Sequence, residues 1–153
     1  MNQKDSALVK EARSHALEIL HNCVTKYGFR ASADPSGYPQ IWGRDSSVTL
    51  LAAMATGDDE LIKAGRASLE TIGGAQSCWG LVPLNINPED GFVSTENAGA
   101  CDANLWYILG QFGLFKATGD LNALKKNWAI MTRALSWLQY QDMNECGLLE
   151  IPE

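Results

Sequence analysis

Histidine is nearly absent from this chain: His15 and His21 are the only two in 153 residues. They lie six apart, about 240° around a helix axis, so they cannot grip one ion together. Cysteine is also sparse, and Cys23, Cys78, Cys101 and Cys146 contain no Cys-x-x-Cys. Zinc ligands normally come in short pairs, so no metal is expected, and nothing calls for an organic cofactor. The four thiols are expected to be buried and free, as in a cytosolic protein. Basic residues are few: 12 Lys and Arg face 18 Asp and Glu, giving a net charge of −6 with no basic run. A nucleic-acid partner or an anionic membrane needs a basic footprint, and both are excluded as expectations. No apolar run approaches the ~18 residues of a membrane span. The first twenty residues are polar and helix-like rather than a signal peptide, so the expected location is cytoplasmic.

What is present is an ordinary globular composition, 46% hydrophobic and 20% charged, with a strong helical pattern. Leu17, Leu20, Val24 and Tyr27 form one stripe and predict a first helix from Ser6 to Tyr27. A Gly-, Pro- and Ser-rich loop follows. The second helix, Ser46 to Thr56, is apolar all round and is expected to be buried on most sides. The third, Asp59 to Ile72, is amphipathic: Leu61, Leu69 and Ile72 oppose Lys63, Arg66 and Glu70. Between Gly73 and Cys101 no helical period occurs, and short strands are expected around Leu81-Val82 and Phe92-Val93. The fourth helix, Ala103 to Thr118, is again apolar almost all round. In the fifth, Leu121, Leu124, Trp128, Met131, Leu135 and Leu138 recur at three and four residues and are expected to pack inward.

Buried and amphipathic helices therefore alternate, and the alternation repeats. "ATGD" occurs at Ala55–Asp58 and at Ala117–Asp120, 62 residues apart, closing a buried helix and opening an amphipathic one each time. Glycine supplies the left-handed exit and aspartate the next cap. Asp45 and Asp102 stand 57 apart at the entrances of the two buried helices. Repeated helical hairpins with inner and outer helices define an all-α, (α/α) toroid expectation, incomplete here, with about five helices and long connecting loops. Residues 1–153 read as one partial domain: an outer helix, two inner-outer pairs, and the start of a third entrance loop, "MNECGLLEIPE". The expected partner of such a half-toroid is a second copy, docked through the uncovered surface of the inner helices.

In a toroid the inner helices run parallel and their N-termini gather at one end. Trp42, Arg44, Asp45 and Asp102 would share that end, with Glu150 and Glu153 near the third entrance. An aspartate there can simply serve the helix N-terminus. Arg44, Asp45 and Trp42 together suit a saccharide: the carboxylate accepts from vicinal hydroxyls, the guanidinium donates to their oxygens, and the indole stacks on the ring. Trp79 and Trp106 could line the same cleft, whereas Trp128 and Trp137 read as packing residues.

"YPQIWGRDSSVTLLAAMATGD" resembles the WxRD segment of (α/α)6-barrel glycoside hydrolases of the glucoamylase and amylo-alpha-1,6-glucosidase group. "GLVPLNINPED", followed by "CDANLWYILGQFGLFKATGD", is similar to a later run of the debranching type, and "GLLEIPE" to the loop before the next inner helix. The resemblance covers Tyr38 to Glu153. It implies hydrolysis of alpha-glucosidic or related bonds by an inverting, two-carboxylate mechanism, with Arg44 and Asp45 bonding sugar hydroxyls, Trp42 shaping the subsite and Asp102 pointing into it. Such a pair of carboxyls stands ~6.5–9.5 Å apart. The general acid belongs at or just after the third entrance and the base much later, so no catalytic residue is assigned and neither Glu150 nor Glu153 is taken as the acid. The alternative is a non-catalytic, saccharide-binding or self-associating half-toroid. A sugar epimerase or lyase is disfavoured, because those use histidine or tyrosine shuttles and both histidines lie on the outer first helix.

Overall fold

The computed structural model describes residues 3–34, 36–95 and 101–149. It contains α1 (Gln3–Asn22), β1 (Val24–Thr25), β2 (Gly28–Phe29), β3 (Ile41–Trp42), α2 (Gly43–Thr56), α3 (Asp59–Gly74), β4 (Asn85–Asn87), β5 (Phe92–Ser94), α4 (Asp102–Thr118) and α5 (Leu121–Gln139). The expected five helices are present, and the second, third and fourth lie within a few residues of their expected limits. They account for most of the described chain, as an all-α reading requires.

The first helix ends earlier than its stripe suggests. Val24 and Tyr27 belong instead to a small hairpin, in which Val24 pairs with Phe29 and Thr25 with Gly28. Tertiary contact overrides the local period here. The Ser68 hydroxyl of α3 accepts from Phe29 N–H at 2.8 Å, and Thr71 donates to the Tyr27 carbonyl at 2.8 Å. Gly28 sits at φ +124°, and a Cβ there would lie 2.5 Å from Ser68 Cα, so only glycine fits.

The remaining helices form two hairpins. Ser47 of α2 lies against Gly110 of α4 and Leu51 against Gly113, so the two helices run parallel. Across the other layer, Arg66 of α3 meets Asp120, and Glu70 meets Lys126, so α3 and α5 also run parallel. Asn104 reaches the Ala134 carbonyl and Gln111 reaches Asn127, which sets α5 antiparallel to α4. Between the layers the core gathers Ile41, Leu50, Leu69, Ile72, Val82, Tyr107 and Leu114. A second cluster of Phe29, Ala53, Leu61 and Ala64 holds Leu17 and Leu20 of α1. Burial pushes the Tyr107 hydroxyl up to about 12.

Both "ATGD" copies do the same work. Gly57 and Gly119 take φ of 71° and 66°. Thr56 and Thr118 each donate back into the helix they end and accept from the N–H of the following aspartate. Asp58 then caps α3 through Glu60 and Leu61 N–H, and Asp120 caps α5 through Ala123 N–H. Each cap also meets a basic side chain from an earlier helix: His21 of α1 at 3.1 Å for Asp58, Arg66 of α3 at 2.8 Å for Asp120. Backbone N–H donation is the main cause holding both carboxyls below the usual carboxylate range.

Four further expectations need correction. The apolar helices are not buried on most sides: Val48 and Leu51 of α2, and Leu105, Leu109 and Phe112 of α4, are exposed, because no described element covers that face. Trp128 is 60% exposed, and Leu121 and Leu135 also face outward, since α5 turns Met131, Ala134 and Leu138 to the core instead. The strand expected at Leu81-Val82 lies four residues later. The Leu81 carbonyl and N–H bond Ser77, and Val82 N–H bonds the buried Asn104 side chain, leaving Asn85–Asn87 to pair with β3 and β5. All four cysteines are free, but Cys78 and Cys146 are exposed on loops rather than buried.

Candidate functional site

β3 and the first turn of α2 build the site. Trp42 pairs with Asn85 across the sheet, and Gly43 N–H continues the ladder to the Leu84 carbonyl at 2.9 Å. The chain then turns directly into α2, which sets Arg44 and Asp45 on the exposed side of the first turn while Ser46 and Ser47 go inward. An open cavity of about 310 Å3 is lined by Ala31, Tyr38, Trp42, Arg44 and Asp45. Tyr38 meets the Trp42 ring edge-on, with centroids 6.4 Å apart and planes at 77°. The indole Nε1–H is buried without an acceptor.

The Arg-Asp pair forms, but between the two entrances rather than within one. Arg44 Nη1 donates to Asp102 Oδ2 at 2.7 Å, tying the start of α2 to the start of α4. The carboxylate of Asp102 is thereby engaged, and Asp102 does not line the cavity. Asp45 makes no hydrogen bond or ion pair among the described residues and stands exposed in the first turn of α2. Neither aspartate is the N-cap that the simpler reading supplied. Trp42 and Cys101 hold the cap positions, and neither offers a side-chain bond.

Of the other aromatic candidates, Trp79 is 81% exposed on a separate loop and Trp106 is half-buried in α4; neither lines the Trp42 cavity. Glu150 and Glu153 lie outside the described residues. Among the described residues no group of His, Cys, Asp and Glu is placed to hold a metal ion. None of the described helices is long and apolar enough to cross a membrane.

Tyr38 is the residue that sequence reasoning passed over. Its signal was available, since it precedes Trp42 by four residues in the same quoted stretch. A loop offers no periodicity that would say whether the two rings meet. Comparison with protein-family models, with curated proteins and with solved structures finds no match for this chain.

Proposed function

We propose that this chain is the sugar-reading segment of a carbohydrate-active glycoside hydrolase built as an (α/α) toroid, acting on alpha-glucosidic or related bonds. The observation that carries the reading is an unpartnered carboxylate, Asp45, beside the Trp42 and Tyr38 rings on an open cavity. Vicinal hydroxyls of a sugar donate to the two Asp45 oxygens. Arg44, fixed by Asp102, turns its remaining N–H groups to their oxygens, and the indole takes the C–H face. Asp102 is thus a positioning residue that acts through Arg44.

Hydrolysis on this reading follows the inverting route, with an acid protonating the leaving oxygen and a base activating water on the opposite face. Trp42, Arg44, Asp45 and Asp102 take neither role. The toroid arrangement is supported by two parallel apolar helices, two parallel amphipathic ones, and a turn repeated between them. A cytoplasmic setting accords with four free thiols.

Calorimetric titration of the wild type and Asp45→Ala with glucose, maltose, isomaltose and mannose tests the site. The wild type is expected to give a saturable heat with at least one of them and the variant none. Equal heats in both proteins contradict it.

A second reading rests on a different observation. Val48, Leu51, Leu105, Leu109 and Phe112 expose apolar side chains along α2 and α4. A non-catalytic half-toroid would cover them with a second copy of itself, since apolar faces of this kind mark interfaces. Sedimentation at micromolar concentration is expected to show a dimer, dispersed by Leu109→Glu. A monomer across that range rules it out.

A further inference from the structure

A second cavity, of about 180 Å3, lies behind Asp45 on the side of α1 and the β1–β2 hairpin. Asp45 and Ala31 line both cavities, so one wall separates them. The polar lining is Arg30, Asp45, Ser46 and Thr49, and Leu20, Phe29 and the weakly polar Cys23 thiol supply the other side. Two buried groups on this lining have no protein partner. The Ser46 hydroxyl lacks one, in a residue only 2% exposed, and so does Arg30 Nε–H. The Arg30 plane is not free to turn away, because Nη2 donates to the Asn22 and Ala33 carbonyls at 2.7 and 3.0 Å.

Buried polar atoms left without partners are rare in folded proteins and call for an occupant. The lining decides its chemistry. An anion drawn to Arg30 meets the Asp45 carboxylate, and a cation drawn to Asp45 meets the guanidinium, so either ion carries a repulsive contact. A neutral hydroxyl escapes both. It accepts from Arg30 Nε–H, exchanges a bond with Ser46, and a neighbouring hydroxyl donates to Asp45. Phe29 and Leu20 take the intervening C–H groups. The volume holds several waters or one small polyol.

We infer that this cavity is a binding compartment for a small neutral vicinal diol, held between Arg30 Nε–H, the Ser46 hydroxyl and the Asp45 carboxylate. The inference stands apart from the saccharide reading of the Trp42 cavity, and Asp45 is the one polar side chain that the two share. Asp45 would then accept from ligands on both of its faces.

The test follows the Arg30 Nε–H resonance in proton–nitrogen spectra during titration with glycerol. Glycerol is expected to move it saturably, and 1,3-propanediol, which lacks adjacent hydroxyls, to bind more weakly. Sodium acetate and ammonium chloride are expected to give no saturable shift. Ser46→Ala should weaken glycerol roughly five-fold, the effect of one neutral hydrogen bond, and Thr49→Val serves if Ser46→Ala does not fold. Trp42→Ala should leave the glycerol shift unchanged, which separates this compartment from the aromatic cavity. An unmoved or unsaturable Arg30 signal means that water alone fills the space and overturns the inference. So does an equal response in wild type and Ser46→Ala, or a response lost with Trp42→Ala.

Discussion

The hairpins α2–α3 and α4–α5 close with the same four residues and open differently. At the closing end Thr, Gly and Asp play the same parts in both, the threonine hydroxyl facing two ways each time, although Thr56 and Gly57 donate three residues back and Thr118 and Gly119 four. At the opening end the first hairpin leaves Asp45 without a partner, whereas the second gives Asp102 to Arg44. Two residues further on, the first carries Ser47, bonded within its own helix, and the second carries Asn104, which bonds three separate backbone groups. The turn is common to both copies because it is a folding device. Where the copies diverge, one entrance anchors the structure and the other presents a carboxylate to solvent.

The largest expected effect lies at the second entrance. Asn104→Ala strands the Val82 N–H and loosens Gly80 and Ala134, a loss of about 2–4 kcal/mol. Ser47→Ala, at the matching place, removes only a bond within its helix and should shift stability by about 0.5 kcal/mol or less. Urea denaturation of the two variants compares them, and equal losses would break the contrast between anchoring and presenting entrances.

Next come the turn glycines. Both have left-handed φ with open space around the missing Cβ, so Gly57→Ala and Gly119→Ala should each lose about 1 kcal/mol, matched to within error. A clear inequality would mean the turns are alike only in sequence.

Acid titration sharpens the comparison of the caps. The folded-state carboxyls of Asp58 and Asp120 are depressed, chiefly by the backbone N–H of Leu61 and Ala123 respectively. Their contribution is therefore present above the unfolded aspartate value, ~3.9, and is lost as pH falls through the folded-state values. Melting temperatures measured from pH 6 down to pH 3 should fall less steeply in Asp58→Ala and Asp120→Ala than in the wild type. Curves parallel to the wild type would show that these two carboxyls do not couple folding to protons.

An equally small change in stability, like that of Ser47→Ala, is expected for Arg44→Ala. The bond to Asp102 is largely solvated, with Arg44 55% exposed, and such pairs are worth about 0.5 kcal/mol or less. A larger loss would make the Arg44–Asp102 pair a structural anchor.

What could be read in the chain depends on how local its cause is. The "ATGD" turns were legible because a left-handed glycine and a capping aspartate act within four residues. The hairpin at Val24–Phe29 was not, since a helical period runs through Val24 and Tyr27 and only the approach of Ser68 to Gly28 breaks it. Apolar faces on α2 and α4 read as buried because composition records what a helix could cover, not whether a neighbour arrives. At the site, Trp42 and Asp45 were recognisable by type and place. The pairing of Arg44 with Asp102 was not, because it joins side chains 58 residues apart.

The most direct measurement is a maltose titration, followed by tryptophan fluorescence, of the wild type, Asp45→Asn and Asp102→Asn. Asp45→Asn should weaken binding at least about ten-fold, as expected for loss of charge-assisted bonds, and Asp102→Asn by less than about three-fold. Wild-type affinity in Asp45→Asn, with binding lost in Asp102→Asn, would contradict the assignment of the free carboxylate as the group that reads the sugar.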